Sequence, residues 1–202
     1  MTGSVRPTIE DYVAAFCDAQ ITRKAVMDLS TLLAQVVAAQ IQDLLPKQRV
    51  QVGHKYFGGS SRRHHLDAFI ANEHYGLQLG IDVKGLNSAS SLGKNWNNRV
   101  GDLHELATNH HQNFPRAVMG GVLAIPYDGL TQNTLRNIER AMQHLGARRA
   151  VTNEYSRLES AALLVISKAD RTIRADIPAP DSAARFERFA STMAQIFQER
   201  WE

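Results

Sequence analysis

The stretch Leu77–Ser88, LQLGIDVKGLNS, decides how this chain is read. Leu77, Leu79, Ile81 and Val83 recur at every second position, and Gln78, Gly80, Asp82 and Lys84 fill the places between them. Successive strand residues point to opposite sides of a sheet, so the pattern predicts a strand with one apolar face and with Asp82 and Lys84 together on the other. An acid and an amine in that relation either brace a surface or do chemistry.

Working outward, the same period of two marks strands at RVQVGHKYF and HLDAFIAN just upstream, with a tight connection at NEHYG, so three strands form a meander. Before them the period is helical. Thr8 and Asp11 resemble a capping box ahead of Ile9, Tyr12, Val13 and Phe16, and a longer stripe from Val26 to Leu44 stops before Pro46. After them NNRVGDLHELATNHHQ returns to helical spacing, RAVMGGVLAIPY reads as a strand covered on both faces, and a helix runs from a cap at Thr131 to Gly146. ALLVISKA predicts a last strand and SAARFERFASTMAQIFQERW a terminal helix. The expected class is α/β, a mixed sheet with helices on both sides. One domain is expected over 1–202, with an N-terminal helical layer at 8–45, a core at 48–127 and an additional helix, strand and helix at 131–202.

The 202 residues carry 23 Lys plus Arg against 20 Asp plus Glu, a mildly basic balance that permits a nucleic-acid partner without demanding one. Cys17 is the single cysteine, which excludes an internal disulfide and a thiolate cluster and suggests a buried thiol. The opening MTGSVRPTIEDY lacks the order of a signal peptide, and the expectation is a cytoplasmic chain with no membrane span.

Asp67 lies in HHLDAFI, on the strand that would pair with the one holding Asp82 and Lys84. The three polar groups are therefore expected to converge at one edge of the sheet. Two close carboxylates suit a hard cation such as Mg²⁺, with the backbone carbonyl of Val83 as a further ligand. A lysine beside such an ion can orient and help deprotonate a water. Arg62, Arg63, Lys94 and Arg99 would add the positive charge that phosphates need, and asparagine side chains can pair with an adenine edge. Glu10 or Asp28 are candidates for a further acid from the helical layer, and Arg148 and Arg149 read as a solvated basic pair. HELATNHH begins like a metalloprotease helix, but Thr108 stands where the second histidine is required, which argues against zinc.

In Asp67, Asp82 and Lys84 the chain resembles the PD-(D/E)xK nuclease superfamily, whose pattern is an Asp, a variable gap, then an acid, any residue and Lys on the next strand. Leu66 stands where that pattern often has proline. The resemblance covers roughly Ile9–Tyr127. It implies a restriction-endonuclease-like sheet with the core order α-β-β-β-α-β and a catalytic set of Asp67, Asp82 and Lys84. A narrower resemblance lies in SLGKNWNNRVGDLHELATN, which is similar to the segment after the lysine in XhoI-like type II restriction endonucleases, at Ser91, Gly93, Asn95, Asn97, Asn98 and Arg99. It implies a Mg²⁺-dependent enzyme acting on double-stranded DNA as a homodimer, with a companion DNA methyltransferase. Lys94, Asn95, Asn97, Asn98 and Arg99 would then serve DNA contact.

Blander readings stand beside these. Asp82 and Lys84 also fit a solvated same-face pair, and Asn97 or Asn98 a helix cap. A non-cleaving DNA-binding or repair-associated relative, or a structural α/β interaction domain, would share the same pattern.

Overall fold

The computed structural model describes residues 6–19, 22–58, 64–87, 89–152 and 154–202. Two helices, α1 (Ile9–Asp18) and α2 (Arg23–Leu44), precede three strands, β1 (Gln51–Phe57), β2 (His64–Asn72) and β3 (Gly76–Gly85). Then come α3 (Ala89–Asn113), β4 (Val118–Pro126), α4 (Gln132–Leu145), β5 (Ser160–Ser167), the two-residue β6 (Thr172–Ile173) and α5 (Phe186–Trp201). The local signals act where they stand. The Thr8 hydroxyl accepts from the Asp11 N–H at 3.2 Å while the Asp11 carboxylate accepts from the Thr8 N–H at 2.8 Å, which closes the box that starts α1.

Among the described residues six strands lie in chain order, β1 to β6. β1, β2 and β3 are antiparallel, β3, β4 and β5 are parallel, and β6 closes antiparallel. Each parallel step needs a crossover, supplied by α3 and α4, and both helices bury their stripes on one face. There Leu103, Leu106, Ile138 and Met142 meet Phe69, Met119, Leu123 and Leu163. On the other face α1, α2 and α5 set Phe16, Leu33, Ile41, Phe189 and Phe197 against Ile70, Leu79, Ile81, Val122 and Leu164. The chain is an α/β protein with a mixed sheet between two helical layers.

Helix α2 is long and apolar enough, by length and composition, to cross a membrane, and in this fold the stripe from Leu29 to Ile41 covers the sheet. Phe186, Phe189 and Phe197 are buried in the same layer. Cys17 is half-buried rather than buried.

The alternation at Leu77 is not uniform. Pairing shifts from Ile70↔Leu79 to Ala71↔Leu77, which leaves Gln78 as an extra residue on β3. Leu77 therefore joins the α3 side of the core while Leu79, Ile81 and Val83 face α2. Gln78 is itself buried, and its carbonyl accepts from the Asn72 amide at 3.0 Å.

Arg148, expected to be solvated, is fully buried. Its guanidinium donates to Glu159 Oε1 at 2.5 Å, Arg200 from the last turn of α5 donates to the same oxygen at 2.7 Å, and the Met119 N–H and His111 Nε2 meet Oε2 at 2.7 and 3.2 Å. Arg149 is tied to backbone carbonyls of Arg148 and Glu159. Burial alone would raise the Glu159 carboxyl; the His111 bond and the Arg200 and Arg148 charges outweigh it and hold the group down at about 2.

Glu159→Ala, which strands two guanidiniums, is expected to lower stability by about 3–5 kcal/mol in urea melts. Because the folded value lies below the ordinary 4.5, this contribution is present above pH 4.5 and is lost as pH falls towards 2. Stability curves of wild type and variant should converge over that window.

Candidate active site

The pairing of β2 with β3 runs from Asn72↔Gly76 to Ala68↔Ile81 and goes no further. Beyond it β2 stays with β1, through Lys55↔Leu66, Tyr56↔His65 and Phe57↔His64, while β3 stays with β4 through Gly85↔Ala124. The two strands part, and Asp67 and Asp82 are the first residues past the fork. The Val83 N–H donates to Asp67 Oδ2 at 2.9 Å. The site therefore opens inside the sheet, between its second and third strands, rather than at an edge.

The fork is the floor of a recess of about 470 Å³. Asp67, Asp82, Val83, Lys84 and Gly85 line it from the strands, Val26, Met27 and Ser30 from α2, and Arg99, Asp102 and Leu106 from α3. Sequence reasoning brought Asp67, Asp82 and Lys84 together, and the structure does the same. Gly121 pairs with Asp82, and a Cβ there would come within 2.9 Å of Leu103, so the glycine lets α3 lie close over this part of the sheet.

The Asp82 side chain is 4% exposed and that of Lys84 28%. Lys84 Nζ donates to Asp82 Oδ1 at 3.0 Å and stands 2.8 Å from Oδ2. The second approach is a charge contact, not a directed bond, since Oδ2 is buried with no hydrogen-bond partner. Burial pushes the Asp82 carboxyl up to about 7 against the opposing Lys84 charge, and Asp67 raises it further. Burial also raises Asp67, although the Val83 N–H works the other way. This is no solvated surface pair. It is two carboxyls held close with one ammonium between water and core.

Among the described residues no group of three or more His, Cys, Asp or Glu is arranged to hold a metal. Two carboxylates are enough for Mg²⁺, which keeps several waters, and the unpartnered Asp82 Oδ2 is the kind of atom such an ion satisfies. Neither helical acid joins them: Asp28 is exposed and pairs with Lys24 at 2.9 Å, and Glu10 lines a separate groove beside Arg171.

Helix α3 begins at Ala89, eight residues before Asn97, so the cap reading of Asn97 and Asn98 fails. Two glycines and three asparagines read as a loop by propensity. Packing overrides it: Leu92, Trp96, Val100 and Leu103 recur at helical spacing and meet the core, and that spacing was the signal available in the sequence. Asn95, Asn98, Arg99 and Asp102 fall at i, i+3, i+4 and i+7 and, with the exposed Asn97, line a second recess beside the first. Arg99 and Asp102 border both and pair at 3.0 Å. Arg62 and Arg63 lie outside the described residues, as do the side chains of Ser91 and Lys94. Sequence reasoning missed Ser30, Asp102 and His64 as parts of the lining.

No family model, curated protein or solved structure matches the chain.

Asp82→Asn is expected to stabilise the metal-free protein at pH 8 by about 1–3 kcal/mol. A carboxyl whose folded value lies near 7, above the ordinary 3.8, favours folding below pH 3.8 and loses that contribution as pH rises through 7. The variant's advantage should vanish near pH 4. Thermal melts at the two pH values measure it.

Proposed function

We propose that the chain is a Mg²⁺-dependent endonuclease of the PD-(D/E)xK superfamily that hydrolyses phosphodiester bonds of double-stranded DNA, of the type II restriction kind. The observation that carries this reading is the meeting of Asp67, Asp82 and Lys84 in one recess, with Asp82 buried against its own electrostatic preference. Structural ion pairs are arranged so that charge is compensated; catalytic carboxylates are held where it is not. The run α2, β1, β2, β3, α3, β4 supports a restriction-endonuclease-like core, here continued by β5, β6 and the helices α4 and α5.

Asp67 and Asp82 would hold the ion, with the carbonyl of the intervening Val83 as a further ligand. Bound there, Mg²⁺ would offset the charge that builds on the phosphoryl oxygens. Lys84, exposed enough to reach solvent and kept in place by Asp82, addresses the attacking water. The water oxygen bonds to phosphorus as the ester P–O bond breaks with its electron pair on the leaving oxygen; the water's proton passes to bulk water on the Lys84 side of the recess, and the leaving oxygen takes a proton from bulk water. Asn95, Asn97, Asn98 and Arg99 present a polar helical face beside it for DNA. Lys94 shares that helix, and Arg62 and Arg63 precede β2 in sequence. Cutting both strands in one encounter needs two such sites, which a two-fold homodimer supplies. A cytoplasmic restriction enzyme also requires a companion methyltransferase, so finding a methyltransferase gene beside this one would support this reading over a scaffold.

Digestion of phage or plasmid DNA by the purified protein with Mg²⁺ tests the proposal directly. Asp82→Ala and Lys84→Ala should each lower cleavage about 10³-fold or more while the fold persists. Wild-type rates in either variant would sink the assignment. Substituting Arg99 should weaken DNA binding more than it slows a saturated cut, as read by binding isotherms beside single-turnover rates. Light scattering should give a dimer when DNA is bound; a monomer that yields nicked circles alone argues for a nickase.

A further inference from the structure

Helix α4 gives one stripe to the core and the other to solvent. Leu135, Ile138, Met142 and Leu145 are buried against the sheet, while Asn133, Arg136, Asn137, Arg140 and His144, at i, i+3, i+4, i+7 and i+11, are exposed. Glu139 is the one acid of the helix, and it is buried, with Oε1 accepting from the Ala179 N–H at 3.0 Å. The exposed stripe therefore carries two arginines and no carboxylate of its own.

Exposed arginines such as Arg6 and Arg171 are met by Asp43 and Asp18, each at 2.6 Å. Among the described residues Arg136 and Arg140 have no ion pair and no hydrogen bond. They also stand at i and i+4, where like charges repel across a helix surface. The free protein thus keeps two charges that weaken their own helix.

The neighbouring helix indicates what answers them. α4 packs beside α3 in one helical layer, and the polar face of α3, with Asn95, Asn98 and Arg99, flanks the recess of the acids. Arg99 is already paired with Asp102. Duplex DNA carries one negative charge per about 1.7 Å of its axis, so the described part of the α3 face is short of cations for it. Helices packed side by side lie about 8–10 Å apart, and the major groove alone is about 12 Å wide, so one duplex can meet both.

We propose that the exposed face of α4, through Arg136 and Arg140, grips the phosphate backbone of the duplex that enters the Asp67–Asp82–Lys84 recess. For its ligand this rests on the nuclease reading, but the contact itself needs no cleavage. It is independent of sequence, because a phosphate contact carries no base information, and Asn133 and Asn137 add amide donors beside the two guanidiniums.

Binding of the full-length protein to a labelled duplex of arbitrary sequence, followed over a range of salt and without Mg²⁺ so that nothing is cut, tests the contact. Arg136→Ala combined with Arg140→Ala should weaken binding about 10-fold or more and lower the slope of log K against log salt by about 2, one for each lost phosphate contact. Arg136→Lys with Arg140→Lys, which keeps both charges, should restore the slope. Arg49→Ala removes another exposed and unpaired charge, from the connection between α2 and β1, and should leave affinity and slope at wild-type values. Without DNA the double Ala variant should melt at or slightly above the wild-type temperature, since a repelling pair is gone. Unchanged duplex binding in that variant, an equal loss per charge from Arg49→Ala, or a sharply lower melting temperature overturns the proposal. Loss of binding to phosphatidylserine vesicles with duplex binding intact assigns the face to a lipid surface and overturns it as well. A wild type that binds duplex through these arginines but cuts none with Mg²⁺ ends the nuclease reading and leaves this contact standing. One that cuts while the double Ala variant binds equally well ends this contact alone, and one that binds no duplex ends both.

Discussion

The bond from the Val83 N–H to the Asp67 carboxylate is the contact on which the site depends. In a continuing antiparallel ladder that N–H would be satisfied by a β2 carbonyl. A strand that parts from its neighbour in the protein interior would leave the donor orphaned, which costs as much as a lost hydrogen bond. Asp67 substitutes a side-chain oxygen for the missing backbone one. The fork between β2 and β3 is therefore stable without a compensating water or strand, and the space it opens is what α2 and α3 wall in. The same bond turns Asp67 toward Asp82, so one interaction both makes the cavity and places the first acid in it.

Helix α3 depends on that opening in turn. Its C-terminal half is packed by Leu103, Leu106 and Ala107, and Gly121 lets Leu103 settle directly beside the register position of Asp82. With that half fixed, the polar N-terminal half is carried rigidly past the mouth of the recess, and Arg99 and Asp102 reach both hollows. Side chains on a packed helix lose less entropy on contacting a ligand than those on a loop. The asparagine-rich segment, read as loop by propensity, thus gains a defined geometry relative to the acids from apolar contacts three and four residues away.

Sequence made α1, α2 and α4 legible because each was marked twice, by period and by a terminal signal: Thr8 with Asp11, Pro46, and Thr131 with Gly146. It brought Asp67, Asp82 and Lys84 to one place because the strand period fixes faces. What it did not disclose came from interactions with no local signature. The bulge at Gln78 leaves the apolar alternation intact in sequence while moving Leu77 to the other core. β6 has two residues and no period at all. Arg148 looks like a surface cation until Glu159, Arg200 and Met119 arrive from three other places in the chain.

Two of the buried carboxylates, Glu159 and Asp82, differ in how their charge is met. Glu159 meets two guanidiniums, an imidazole and a backbone N–H, and its carboxyl is held down at about 2. Asp82 is also buried, and among the described residues its charged neighbours are the partly exposed Lys84 ammonium and the Asp67 carboxyl; burial pushes it up to about 7. The fold can compensate a buried acid fully, and at Glu159 it does so where the end of α5 must be fastened. At Asp82 the described residues supply less. Among the described residues Asp82 Oδ2 has no hydrogen-bond partner, and a buried carboxylate oxygen left so is the kind of group a divalent cation would satisfy.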